Sequence, residues 1–154
     1  MKDVLGISLG SSRRDHAVEL TLLGEQVRIR RVGTDGSLER AVELIRAWDG
    51  RVDAFGMGGI DLYVHAGPRR YMLREARRIA AAARRTPIVD GTGLKNSLER
   101  DVVAYLQREY GVDWRGRRVL LVSAADRFGM AEALARSRRY FELACRYAAR
   151  DWPA

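Results

Sequence analysis

The amino-acid sequence predicts an α/β protein: a mainly parallel sheet with helices on both faces, an antiparallel hairpin at one edge, and a long C-terminal helix. Three patterns carry this. From Val52 onwards, short apolar runs alternate with stretches of helical periodicity, as when strands are joined by helical crossovers. Before that, two runs with partial polar–apolar alternation flank Gly24-Glu25, which fits a two-residue hairpin turn. Residues 130–152 contain neither Gly nor Pro, and Met130, Leu134, Ser137, Phe141, Cys145, Ala148 and Trp152 fall on one helical stripe.

Taken in order, residues 4–9 read as a first strand that stops at Gly10-Ser11-Ser12. Residues 17–23 and 26–32 form the hairpin, giving three antiparallel strands in succession. Thr34-Asp35-Gly36-Ser37 ends this run, and Ser37 is placed to cap a helix carrying Leu38, Val42, Leu44, Ile45 and Trp48, which Gly50 terminates. Residues 52–57 form a strand ending in Gly58-Gly59. Pro68 then opens a helix to Arg85, with Met72, Leu73, Ala76, Ile79, Ala80 and Ala83 on its apolar face. Residues 86–89 make a short strand closing on Asp90-Gly91-Thr92-Gly93, Ser97 caps a helix that Gly111 stops, and residues 119–123 form a last buried strand. The expected division is an α/β unit over 1–113, followed by an incomplete Rossmann-like strand and the long helix over 114–154.

Composition narrows the classes. Hydrophobic residues at 47% and charged residues at 31% exclude intrinsic disorder. No apolar run approaches the ~18 residues of a spanning helix, and the first residues lack the apolar core of a secretory signal, so a cytoplasmic protein with no membrane partner is expected. A lone cysteine, Cys145, rules out an internal disulfide and a Cys-rich zinc site; His16 and His65 have no metal-ligand spacing, so no metal is expected. The net charge is +8, and all basic residues except Lys2 and Lys95 are arginine. A GC-rich genome would produce that skew as readily as an anion-binding surface would.

Three loops could carry chemistry. Ser11 and Ser12 follow the first strand in a small-residue loop of the kind whose N–H groups and hydroxyls approach a phosphate. Gly58, Gly59 and Asp61 follow another strand, where ligands of open parallel sheets bind. Asp90, Gly91, Thr92 and Lys95 form the densest stretch, with a carboxylate and a titratable amine five residues apart across a glycine turn. Arg69, Arg70, Arg74, Arg77, Arg78, Arg84 and Arg85 crowd the expected helix, so a nucleic acid or an acidic protein could dock there; with Tyr71 alone among them, no series of interleaved aromatics favours single-strand stacking.

Two resemblances enter on these residues. The first strand, hairpin and helix resemble the start of RNase H-like or actin-like folds, which implies a phosphate or nucleotide binder using Ser11, Ser12, Gly58 and Gly59; the acid that would hold magnesium on the first strand is replaced by Ser8. Asp90-Gly91-Thr92-Gly93-Leu94, a helix, and then Trp114-Arg115-Gly116-Arg117-Arg118-Val119-Leu120-Leu121-Val122 resemble the junction of shikimate and quinate dehydrogenases. The set Ser8-Leu9-Gly10-Ser11-Ser12, Gly33-Thr34-Asp35-Gly36, Phe55 to Asp61 and Asp126 to Glu132 resembles bacterial proteins labelled quinate 5-dehydrogenase, over about residues 3–135.

The second resemblance implies that Asp90 takes the place of the catalytic, hydroxyl-binding aspartate, while Lys95 lies nearby but in a different segment from the family's lysine. Asp90 and Lys95 are the catalytic candidates, and the loop residues Ser11, Ser12, Gly58, Gly59, Asp61, Gly91 and Thr92 are the candidate substrate contacts. Ser123, Asp126 and Gly129 occupy the place of the nucleotide loop, where only one glycine is left. Side chains in that loop obstruct a pyrophosphate, and the segment supplying the family's catalytic lysine has no counterpart here. The expectation is therefore a binding domain for a small hydroxylated carboxylic acid without autonomous dehydrogenase activity. NAD(P) would be used only if a complete nucleotide-binding domain were supplied. A homodimer through the C-terminal helix is expected, anchored by Phe141 and Trp152.

Overall fold

The computed structural model describes residues 1–66, 69–115 and 117–136. The expected C-terminal helix beyond Arg136, with Phe141, Trp152 and the dimer contact assigned to them, lies outside the described residues, as does Pro68. The chain divides into two compact units: Met1–Tyr63 with Tyr71–Gly91, and Val64–Arg70 with Thr92–Ala154.

The first unit is a mixed α/β structure built on a mostly parallel five-stranded sheet. Its strands are β1 (Lys2–Ser8), β2 (His16–Leu22), β3 (Glu25–Gly33), β4 (Ala54–Gly58) and β7 (Ile88–Val89), in the order β2-β3-β1-β4-β7. β1 pairs in parallel with both β3 and β4, β4 pairs in parallel with β7, and only β2 runs antiparallel, against β3. The expected run of three antiparallel strands is therefore corrected. The hairpin forms, but its second strand inserts beside β1 in parallel and pushes β2 to the edge. The hairpin turn is also one residue earlier than expected: Leu23 (φ 52°) and Gly24 (φ 83°) both adopt the left-handed conformation that matches strand twist in a two-residue loop.

Placing β3 between β1 and β2 forces residues 9–15 across the end of β3. The loop lies so close there that a β-carbon on Gly33 would stand 2.5 Å from the Ser11 carbonyl carbon and 2.6 Å from Ser12 N. Asp15 fastens the far side of the crossing: its Oδ1 accepts from Gly33 N at 2.6 Å and from Arg31 Nη1 at 3.0 Å.

Helix α1 (Leu38–Trp48) begins as its sequence dictates, with Ser37 Oγ accepting from Arg40 N at 3.2 Å. It buries Ala41, Val42 and Ile45 against Leu5, Ile7, Phe55 and Met57 of the sheet, and α2 (Arg74–Ala80) adds Ala76 and Ile79 to the same core. The opposite sheet face carries exposed Val18, Ile29 and Val89. The expected second helical layer is not supplied by the described residues of this unit. At the amino ends of the strands Asp3 accepts from Arg28 Nη2 at 2.7 Å and Arg30 Nη2 at 2.8 Å, and Arg30 lies 4.6 Å from the centre of the Trp48 ring.

The helix expected over 68–85 is cut down at both ends. β5 (Tyr63–Ala66) and β6 (Arg69–Met72) form a two-stranded sheet, so Arg69, Arg70, Tyr71 and Met72 are extended rather than helical. At the other end Asp49 captures the backbone N–H groups of Arg84, Arg85 and Thr86 at 2.8–3.2 Å, removing them as helical donors. The arginines expected on one helix face are accordingly spread over a strand, a seven-residue helix and a loop.

Partial desolvation pushes the Asp49 carboxyl up, but the N–H groups of Thr86, Arg84 and Arg85 outweigh it and bring the pKa down to about 2. A depressed acid stabilises the fold fully above its unfolded pKa, and that contribution disappears as pH falls through the folded value. Asp49→Asn is expected to lower the thermal midpoint at pH 7 and to flatten its decline between about pH 4 and pH 2. Circular dichroism melts across that range check this, and parallel wild-type and mutant curves would refute it.

The second unit holds α3 (Thr92–Asn96), α4 (Leu98–Tyr110) and α5 (Phe128–Ala135), with Val103 and Leu134 buried. Gly111 closes α4 where the sequence led us to expect, and it does so in the left-handed conformation (φ 63°). Ion pairs tie the helices: Lys95 with Asp126, Glu99 with Arg127, and Arg100 with Glu132 at 3.4 Å. Residues 119–123 form no strand; Leu120 and Val122 are largely exposed. An apolar run becomes a strand only where a partner edge receives its N–H and C=O groups, and among the described residues none does so there.

Candidate functional site

β1, β3 and β4 all point their carboxyl ends the same way, and the chain leaves β1 towards the β3 side of the sheet but leaves β4 towards the β7 side. This is the switch-point geometry at which open α/β sheets bind ligands. Three loops converge there: residues 8–12, 33–36 and 58–61. Thr34 N donates to Ser8 O at 2.8 Å, Gly36 N to Leu9 O at 2.8 Å, Asp35 N to Gly10 O at 3.2 Å, and Leu9 N to Gly58 O at 2.9 Å. Gly59 (φ 72°) turns so tightly against the first loop that a β-carbon there would stand 3.2 Å from Gly10 N.

Ser11 and Ser12, expected to contact a ligand, are engaged with the protein itself. Ser11 Oγ accepts from Arg13 N at 3.2 Å, and Ser12 N donates to Asp35 Oδ1 at 2.8 Å. Asp35 sits in the left-handed region (φ 51°), and the Ser12 N–H holds its carboxyl below the ordinary range, helped by the Ser12 hydroxyl. Gly58 packs on Ser8, a buried residue that is 7% exposed.

Asp90 directly follows β7, one strand over from β4, and its Oδ2 accepts from Leu62 N at 2.5 Å. That bond ties the loop carrying Asp61 to the sheet. Gly91 has open space where a side chain would be. These residues belong to the first unit, whereas Thr92, Lys95, Ser123, Asp126 and Gly129 belong to the second. There the Lys95 ammonium pairs with Asp126, Thr92 is buried, and Ser123 Oγ accepts from Asp126 N at 3.4 Å. A β-carbon on Gly129 would stand 3.0 Å from Lys95 O, so this glycine permits the close approach of α5 to α3. Glycine at 129 thus has a packing reason independent of any nucleotide.

From the sequence no site role is expected for Ser8, Arg14 or Arg31, which surround Gly10. The available signal was the Arg13-Arg14 pair directly after the small-residue loop; Arg31 is brought in only by the crossing of β3. Among the described residues there is no group of His, Cys, Asp and Glu able to hold a metal, and no helix is long and apolar enough to cross a membrane.

No curated protein matches the chain. A family model described as Domain of unknown function (DUF8754) matches residues 93–145, and another described as Domain of unknown function (DUF8753) matches residues 3–90. The boundary between the two matches falls where the chain passes from the first unit to the second at Gly91 and Thr92. The unit that carries the converging loops is thus also the unit covered by the larger match, and by that match the chain belongs to the DUF8753 family.

Proposed function

We propose that the first unit binds a small hydroxylated carboxylic acid at the carboxyl edge of β1, β3 and β4, in the manner of the substrate domain of the quinate and shikimate dehydrogenases that the sequence resembles. The observation that carries this reading is the meeting of three loops rich in Gly, Ser, Thr and Asp at the switch point, where polar groups and bare backbone face one place. Asp90, already anchored to Leu62 N, is the acid proposed to meet a ligand hydroxyl. The proposed role is binding rather than autonomous hydride transfer, because the residues at the place of the nucleotide loop retain one glycine.

Thermal unfolding of the full chain with quinate, shikimate or magnesium-ATP tests the proposal. At a hundredfold excess over Kd a bound acid adds about 2.7 kcal/mol of stability. Stabilisation by quinate or shikimate and none by magnesium-ATP is the expected result. Stabilisation by magnesium-ATP alone would move the site to a nucleotide, and no response to any of the three would remove it.

A further inference from the structure

We propose that Ser8, Arg14 and Arg31 form an oxyanion clamp over Gly10, which takes the carboxylate of the small acid. The proposal rests on the reading above for the body of the ligand, but not for the anion itself. A β-carbon built on Gly10 would stand 2.5 Å from Arg14 Nη2, 3.1 Å from Arg31 Nη2 and 3.3 Å from Ser8 Oγ. Three donors from separate parts of the chain thus crowd round one backbone position, which they can approach this closely only because it carries no side chain.

None of the three donors is used up. Ser8 Oγ accepts from Gly10 N at 3.1 Å, yet its own proton meets no acceptor among the described residues, although the residue is 7% exposed. A buried hydroxyl without an acceptor is costly, and a ligand oxygen removes that cost. Arg31 spends Nη1 on Ser11 O and Asp15 Oδ1, both at 3.0 Å, which fixes the guanidinium plane and leaves Nη2 directed at Gly10. Arg14 makes no ion pair among the described residues. Asp15 pairs with one of the two guanidinium groups, and Asp35 stays ionised while accepting from Ser12 N, so the spot offers directed donors rather than a net positive charge. Two guanidinium groups and a hydroxyl near one point match an oxyanion, to which charge-assisted hydrogen bonds are the strong kind.

Gly10 is not in a positive-φ conformation, and the one atom an alanine methyl would clash with below 3.0 Å, Arg14 Nη2, is the end of an exposed, flexible side chain. Gly10→Ala should therefore fold normally while filling the clamp. Arg14→Gln removes one charge from an exposed residue and serves as the second variant. Binding of sodium phosphate and of sodium quinate to the full chain, at constant ionic strength, is compared by calorimetry for wild type and both variants. The expected result is that quinate binds the wild type and binds each variant at least about tenfold more weakly. Phosphate bound by the wild type and lost from both variants, with quinate unbound, keeps the clamp and overturns the hydroxy-acid reading. Quinate bound equally by all three proteins keeps that reading and overturns the clamp. Neither anion bound by the wild type overturns both.

Discussion

Replacing Gly33 with alanine is expected to destabilise the protein by about 3 kcal/mol, the upper end of the range for overpacking a site that cannot relax. The methyl would stand 2.5–2.6 Å from the Ser11 carbonyl and Ser12 N, and these are backbone atoms, not side-chain ends that can swing aside. Moving them means lifting the crossing loop, which also stretches the 2.6 Å bond from Gly33 N to Asp15 and the bond from Ser12 N to Asp35. Urea unfolding followed by circular dichroism measures the loss. Gly56→Ala in β4 is the control, because its methyl would meet only Gly6 Cα at 3.7 Å, an ordinary contact. Equal midpoints for Gly33→Ala and the wild type would show that the loop does not press on β3.

Asp3→Asn is expected to cost about 2 kcal/mol at pH 7, less than the loss of one partner from a fully buried pair because Arg28 remains partly solvated. The Asp3 carboxylate is 14% exposed and is shared by Arg28 and Arg30, which stand on adjacent positions of one sheet face. Without it, two guanidinium groups are left side by side below Trp48. The hydrogen bond from Arg28 is the main reason that the Asp3 carboxyl ionises more readily than usual, partly opposed by desolvation. A lowered pKa means that this stability is complete above the unfolded value and is lost as pH falls through the folded one. The gap between wild type and Asp3→Asn should therefore narrow below about pH 4, and a gap unchanged at pH 3 would rule out an electrostatic origin.

What the sequence revealed and what it concealed divide by the distance over which the deciding interaction acts. α1 was readable to within a residue because Ser37 caps it through a bond to Arg40, three residues on. Gly111 was readable as the end of α4 for the same reason. The parallel pairing of β3 with β1 was not, since Val27 meets Lys2 only in the folded sheet. The helix expected over 68–85 had the right period for its middle turns, but its end is set by the Asp49 carboxylate, 35 residues before Arg84. Residues 119–123 look like a buried strand by composition alone, which says nothing about a partner edge. At the candidate site the glycines stood out. The cations did not, because Arg31 gains its meaning from a loop that crosses it, and an arginine-rich chain gives no single arginine prominence.

The strand order has a consequence for the protein while it is being made. Both neighbours of β1, β3 and β4, lie later in the chain than β2, so β1 is synthesised first and left without an edge to pair with. At ribosomal speeds of about 5–20 residues per second, residue 27 follows residue 2 after an interval on the order of seconds. During that interval an apolar stretch containing Val4, Leu5, Ile7 and Leu9 has open hydrogen-bonding edges on both sides, the condition under which strands from separate chains associate. Lys2 and Asp3 stand at its start as charged gatekeepers before they acquire Asp53, Arg28 and Arg30 as partners. The same two side chains thus guard the nascent strand against other chains and later fasten it into its own sheet.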